Sequence, residues 1–420
     1  MKRKALVHPA VCSLLIFFST ILGLEAQNQA KLERIVAGIH SGSKYMSDVL
    51  LDKNGKSRCE YSITDGVWMD YEPAWHTGQL INSLLRAHDI TGNKSYLKNA
   101  KKAGDWWCSL QIKGHPVLNG MVKAIHGSGI NYIVFATVSD GTAGLFNLNK
   151  KTGIREYAEI PTEAGEWMYK NLYLPKEGLC YDLVDPESGE VQKTKSAFWP
   201  DKENQVLNDV ARPNNEGSLF LDIFRFTGDE KFREAFLNLS NSLVEKQGND
   251  GLWMDYTPND NREHSIHPRF NLWYAESLLD AYDLTGDKKY LQAALKTALM
   301  YQKLQQKDGT FFYTNYTDGT PPDKSSVSGS TVAFAGIIYL RLLKAGVGDA
   351  FKKNVAICAD WLLENQFPGN HPDPNLRGAF VETKVKMNKG KSVVINRDLG
   401  TVFAVRFLCD YFDYLSAAEK

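Results

Sequence analysis

Apolar residues recur at helical spacing along most of the chain, and the recurrence is itself repeated. Leu272, Ala275, Leu278, Leu279 and Tyr282 fall on one helical face; Tyr290, Leu291, Ala294, Leu295, Ala298 and Tyr301 fall on another. Between them stands Thr285-Gly286-Asp287-Lys288-Lys289-Tyr290-Leu291. The same signal occurs as Thr91-Gly92-Asn93-Lys94-Ser95-Tyr96-Leu97 and Thr227-Gly228-Asp229-Glu230-Lys231-Phe232. Weaker copies are Thr152-Gly153-Ile154-Arg155-Glu156-Tyr157 and Val347-Gly348-Asp349-Ala350-Phe351. These glycines are 61, 75, 58 and 62 residues apart. A glycine suits the left-handed position just past a helix, and the Asp or Asn after it can cap the next one. The repeating unit is therefore a helical hairpin.

Five hairpins have inner helices predicted near 73–90, 132–150, 214–226, 268–284 and 327–345. A final helix near 396–416 pairs with an N-terminal helix near 28–50 and supplies the sixth. The fold class expected is all-α, an (α/α)6 toroid of six helical hairpins. An open solenoid would satisfy the same periodicity, but the termini supply the missing partner and the connections between hairpins are long. The Thr-Gly turns then occupy one end of the ring and the long connections the other, where sites tend to be built. Inner-helix N-termini point to that end and favour anionic groups there.

Residues 1–26 read as a signal peptide. Lys2, Arg3 and Lys4 precede an apolar stretch, Val11 to Leu24, and Leu24-Glu25-Ala26 offers a cleavage point. That stretch is short for a membrane span, which needs about 20 residues. Residues 27–420 are expected as one catalytic domain, exported to the periplasm or beyond and free of the membrane after cleavage. Forty-nine basic residues balance forty-nine acidic ones in the 420-residue chain. Cleavage leaves 46 against 48, without the basic excess of a nucleic-acid binder. Self-association stays open. Cys59, Cys108, Cys180, Cys358 and Cys409 remain, with no Cys-x-x-Cys spacing; Cys108, Cys358 and Cys409 lie in apolar helical patterns, as core residues do.

The long connections carry the candidate chemistry. Gly66-Val67-Trp68-Met69-Asp70-Tyr71 returns as Gly251-Leu252-Trp253-Met254-Asp255-Tyr256, each ahead of an inner helix. The first runs on through Glu72, Trp75, His76 and Gln79, the second through His264, His267, Arg269 and Asn271. Arg212, Asn215 and Glu216 precede the third inner helix, and Arg397 the last. Aromatic faces stack on sugar rings, carboxylates bind hydroxyls, and Arg or protonated His pairs with a uronate carboxylate. Trp68, Tyr71, Trp75, His76, Gln79, Arg212, Asn215, Trp253, Tyr256, His264, Arg269, Asn271 and Arg397 are the substrate-binding candidates. Each also has a plain structural reading, as a buried loop anchor, an exposed loop residue or a helix-start acid. No phosphate-binding loop, dinucleotide fingerprint or nucleophile elbow is present, and no cofactor is expected. No metal is expected either: His264-x-x-His267 lacks a third ligand at a recognisable spacing, although the loop from Asp250 to Asp260 could take calcium.

On these residues the chain resembles the six-hairpin glycosidase superfamily over nearly its whole mature length. The local pattern is similar to that of unsaturated glucuronyl hydrolases, with Asn215-Glu216-Gly217 where that family has His-Asp-x-Gly-Phe. His267-Pro268-Arg269-Phe270-Asn271 stands where the family has Asp-Thr-Met-Met-Asn. These departures argue against the same reaction on an unsaturated sugar. Thr77-Gly78-Gln79-Leu80-Ile81 and Leu84-Leu85-Arg86-Ala87 resemble glucuronyl C5-epimerases, and the β-glucuronidases of glycoside hydrolase family 154 share the barrel.

The resemblance implies an exported glycoside hydrolase that removes a glucuronate-type uronic acid from an oligosaccharide or polysaccharide. Glu216 is the expected acid and Asp70, Glu72 or Asp255 the base, because all precede inner helices. Arg212, His267 and Arg269 would hold the uronate carboxylate. A lyase or uronate epimerase on the same barrel is the alternative, with His76, His264, His267, Tyr132 or Tyr256 as base. A non-catalytic glycan-binding toroid is the third reading.

Overall fold

A computed structural model describes residues 28–127, 129–194, 211–212, 218–347, 349–388 and 390–418. The segment expected as a signal peptide lies outside them. The helices are α1 (28–45), α2 (Pro73–Thr91), α3 (Lys94–Cys108), α4 (Phe135–Thr152), α5 (Glu156–Asn171), α6 (Leu219–Thr227) and α7 (Glu230–Lys246). They continue as α8 (Phe270–Thr285), α9 (Lys288–Leu304), α10 (Gly329–Lys344), α11 (Lys352–Glu364) and α12 (Asp398–Ala418). Even-numbered helices are the inner ring and odd-numbered ones the outer layer.

The turn signals act as read. Gly92, Gly153, Gly228 and Gly286 are left-handed caps with φ of 67–75°. Asn93, Asp229 and Asp287 then accept from the backbone N–H two residues on, each starting an outer helix. The fifth turn differs. Helix α10 ends at Lys344 and Gly346 takes the positive φ, so the cap falls ahead of Gly348, which lies outside the described residues.

The ring closes through the termini. Lys31 Nζ donates to Tyr411 Oη at 2.9 Å. A Cβ on Gly42 would meet Val405 and Phe380, so α1 lies tight against α12. Helix α12 in turn packs on α2 and α10. The five cysteines among the described residues are buried free thiols. None of the described helices is long and apolar enough to cross a membrane.

Among the described residues, thirteen short strands decorate the loop-rich end, which helical periodicity does not foretell. β1 (Glu60–Ser62), β2 (Val67–Met69), β9 (Ser265–Ile266), β10 (Phe312–Tyr316), β11 (Asp323–Val327), β12 (Thr383–Asn388) and β13 (Lys391–Arg397) form one antiparallel sheet, ordered β2-β1-β13-β12-β11-β10-β9. β3 (Ile125–Gly127), β4 (Ile130–Val134) and β7 (Leu183–Val184) form a second. β5 (Tyr173–Leu174), β6 (Leu179–Tyr181) and β8 (Ala211–Arg212) form a third. The large sheet borders the mouth of the barrel, and β13 runs straight into α12.

Candidate functional site

The rim sheet and the N-termini of α2, α4, α8 and α12 enclose a cavity of about 330 Å³. Its floor is aromatic. Trp75 on α2 and Trp273 on α8 come from opposite sides of the ring and meet edge to face, 5.3 Å between ring centres. One helical turn deeper, Gln79 and Glu276 line a second, polar cavity of about 320 Å³ toward the Thr-Gly turns. Ion pairs cross it, including Arg341 with Asp280 at 2.8 Å and Arg406 with Glu276.

One wall of the mouth cavity is cationic. Arg269, immediately before α8, is 1% exposed and reaches Glu382, which is fully buried, at 3.0 Å. Its Nη1 also donates to Ser330 Oγ at 2.8 Å. Arg397, at the end of β13, pairs with Glu60 at 2.6 Å. Lys386 reaches the same carboxylate at 3.1 Å. Burial alone would raise the Glu60 carboxyl, but Arg397 and Lys386 hold it below its ordinary value. Lys384 lies below the usual lysine range: Tyr313 pulls it up, while burial, Arg397 and Lys386 outweigh that. Two carboxylates thus serve four cations on this wall, and the surplus, reinforced by the helix N-termini, favours an anionic ligand.

Two tyrosines border this wall, their phenols shifted in opposite directions. Burial, with Glu72 adding to it, pushes the Tyr71 phenol far above its ordinary value, so it stays protonated. Tyr313 on β10 accepts from Arg397 Nη1 at 2.7 Å and from Arg269 Nη2 at 3.3 Å. Burial raises it and Glu382 adds to that, but Arg269, Arg397 and Lys384 prevail and bring it down to about 8.

The other wall holds carboxylates. Glu72 precedes α2 with φ 47° and ψ 53°, a left-handed conformation that a side chain rarely adopts and that is stored mostly at functional positions. Its Oε1 accepts from Thr137 Oγ1 at 3.1 Å and lies 3.2 Å from His126 Nε2. Asp140 follows Thr137 by one turn on α4, also buried and lining the cavity.

The sequence candidates divide. Glu72, Tyr71, Trp75, His267, Arg269 and Arg397 meet at this cavity. Asp70 does not: it projects from the rim and pairs with Lys56 at 2.8 Å. Asp255 is likewise exposed, accepting from Asn261 at 2.8 Å. Trp68 leans on Tyr61 and donates to Asn375 at 3.2 Å. Trp253 is sealed in the core, donating to Leu243 O at 2.9 Å. Asn271 holds that loop by accepting from the Trp253 backbone N–H at 3.1 Å, and Tyr256 is buried beside it. His76 is fully buried, its Nδ1 2.5 Å from Asp398, so it ties α2 to the start of α12. Gln79 donates to the Asp140 carbonyl and faces the second cavity. His264 is exposed in its loop with φ 52°. Asn215, Glu216 and the side chain of Arg212 lie outside the described residues. Tyr132, raised as a base, is only half-buried, packed on Val134 and Leu183. Among the described residues no three His, Cys, Asp or Glu side chains converge as a metal site would require.

Sequence reasoning missed Asp140, His126, Tyr313, Lys384, Lys386 and Glu60. A lone acid in the apolar run of α4 pointed to Asp140, and the alternation Lys384-Val385-Lys386-Met387 pointed to a strand with both lysines on one face.

No protein-family model and no curated protein matches this sequence. Solved structures do. An unsaturated glucuronyl hydrolase specific for heparin superposes with a TM-score of 0.65 at 12% identity, covering 91% of this chain and 98% of that one. Cellobiose 2-epimerase from Bacillus thermoamylovorans gives 0.65 at 14% identity, over 90% and 99% of the two chains. A D-mannose isomerase gives 0.62 at 14%, over 89% and 96%. The (α/α)6 architecture expected from the repeat is therefore the fold of this chain. Hydrolysis, epimerisation and isomerisation all occur on it, so the chemistry is argued from the site.

Proposed function

We propose that the chain is a carbohydrate-active hydrolase that removes a uronic acid from a glycan. One observation carries this reading: Glu72 and Asp140 share a cavity with a wall that has two more cations than carboxylates. Arg269, Arg397 and Lys384 take the uronate carboxylate, and the Trp75–Trp273 floor carries the apolar face of the sugar ring. Asp140 donates a proton to the departing oxygen. Glu72, beside His126, takes one from water. Among known structures of this fold, the glucuronyl hydrolase likeness supports a uronate substrate. Export follows from Lys2 to Lys4 and the apolar run after them; secreted protein should begin at Gln27 on N-terminal sequencing.

The test is turnover of glucuronic-acid disaccharides with product mass recorded. Wild-type protein is expected to add one water per bond cleaved. Asp140→Asn and Glu72→Gln should each lose about 10²–10⁴-fold in kcat, with helical content retained. Full turnover in both variants would remove the assignment and direct attention to Glu216.

A further inference from the structure

We infer that Tyr313 abstracts the proton from the carbon next to a bound uronate carboxylate, giving this cavity a β-eliminating activity on uronates that carry a sugar on O4. The inference rests on the uronate reading of the cavity and adds a second reaction to it.

The geometry is specific. Tyr313 Oη accepts from two guanidinium donors, Arg397 at 2.7 Å and Arg269 at 3.3 Å, and as a phenolate it keeps a third lone pair to take a proton. The Lys384 ammonium stands 4.5 Å from the centre of the phenol ring. An oxygen that receives two cationic donors is set up to hold a negative charge. The α-carbon of a uronate is one bond from its carboxyl carbon. A base for the α-proton must therefore sit next to whatever neutralises the carboxylate, and here the same two arginines serve both. Tyr71, across Arg397, is stacked rather than bonded, with the guanidinium 4.7 Å from its ring centre, and it keeps its proton. The charged and titratable groups acting on Tyr313 include Arg269, Arg397, Lys384 and Glu382, with the Tyr71 phenol also interacting with it. With the phenol brought to about 8, roughly one tenth is phenolate at pH 7.

The step balances without water or an oxidant. Tyr313 phenolate takes the C5 proton, and the electron pair of that C–H bond becomes the C4–C5 double bond. The C4–O bond breaks and its pair leaves with the oxygen. The new phenol returns its proton to that oxygen, restoring the phenolate. A terminal uronate with a free 4-hydroxyl has no sugar to lose this way, so elimination and hydrolysis draw on different substrates.

The experiment incubates the full protein with 4-O-linked glucuronate and galacturonate oligosaccharides. It follows the ultraviolet absorbance of the conjugated enoate, and in parallel titrates tyrosinate by difference absorbance and measures glucuronate binding by calorimetry. Wild-type protein should form unsaturated ends at a rate that climbs as pH passes about 8, with one tyrosine ionising over the same interval. Tyr313→Phe should remove that ionisation and slow elimination by at least about 10²-fold. Lys384→Met leaves the phenol in place and should move both the tyrosinate midpoint and the rate profile to higher pH, a shift no purely structural role produces. Absence of glucuronate binding would remove the uronate reading and this step with it. Binding without any unsaturated product, or elimination undiminished in Tyr313→Phe, would overturn the step alone.

Discussion

Glu382→Ala is expected to lower stability by about 3–5 kcal/mol. The carboxylate is fully buried, and its partner Arg269 is equally sealed at 3.0 Å. It also accepts from the Ser330 backbone N–H at 2.7 Å, at the first turn of α10. Truncation removes the charged acceptor of a buried guanidinium and the acceptor of the Ser330 N–H, and both costs run the same way. The pair itself is a weaker asset than its removal suggests, since desolvating two charges offsets most of their attraction. The double variant Arg269→Met/Glu382→Leu should accordingly lose less stability than Glu382→Ala alone. Urea midpoints at constant m measure both. A midpoint in Glu382→Ala equal to the wild type would mean that Arg269 finds another acceptor and that the cationic wall is not fixed as described.

Gly78→Ala is expected to cost more than about 3 kcal/mol, beyond the range usual for overpacking. Alanine improves helix propensity by about 1 kcal/mol at such a position. That gain is overwhelmed, because a Cβ on Gly78 would lie 2.1 Å from the Gly141 carbonyl oxygen and 2.4 Å from its Cα. The obstacle is backbone, so no rotamer change relieves it. Gly144 meets the Gly78 carbonyl in the same way, which makes α2 and α4 a pair in near backbone contact. They cannot part without moving Glu72 and Asp140 with them. Gly369→Ala is the control: nothing lies within 4 Å of its Cβ position and its φ is ordinary, so its midpoint should stay within about 0.5 kcal/mol of wild type. Unchanged stability in Gly78→Ala would contradict the close approach.

The barrel was legible because it is periodic. A Thr-Gly-Asp turn needs a left-handed residue and a cap in fixed order, and that chemistry repeats wherever a hairpin repeats. The rim was not, because its strands belong to no repeat and pair residues far apart in sequence: Glu60 lies opposite Arg397. Helix-start position alone ranked Asp70 and Asp255 with Glu72, yet the sign of a side chain's direction decides which of them enters the cavity. Arg269 and Arg397, nominated from the sequence as substrate-binding residues, both line the cavity, each paired with a buried glutamate. Nothing in a single sequence could pair them with Tyr313, which arrives from a strand 44 residues beyond Arg269.

The two tryptophans that meet across the axis turn the toroid from a tunnel into a well. A sugar that enters between the rim strands cannot pass on toward the ion-paired cavity beneath, and it departs by the way it came. A polymer cannot thread through such a shape. For the proposed glycan substrate, only a chain end or a short fragment fits, and each turnover would require it to let go and be captured again. On the function proposed above, catalysis in this cavity is distributive, and its pace on long chains follows the number of ends in solution rather than the mass of polymer.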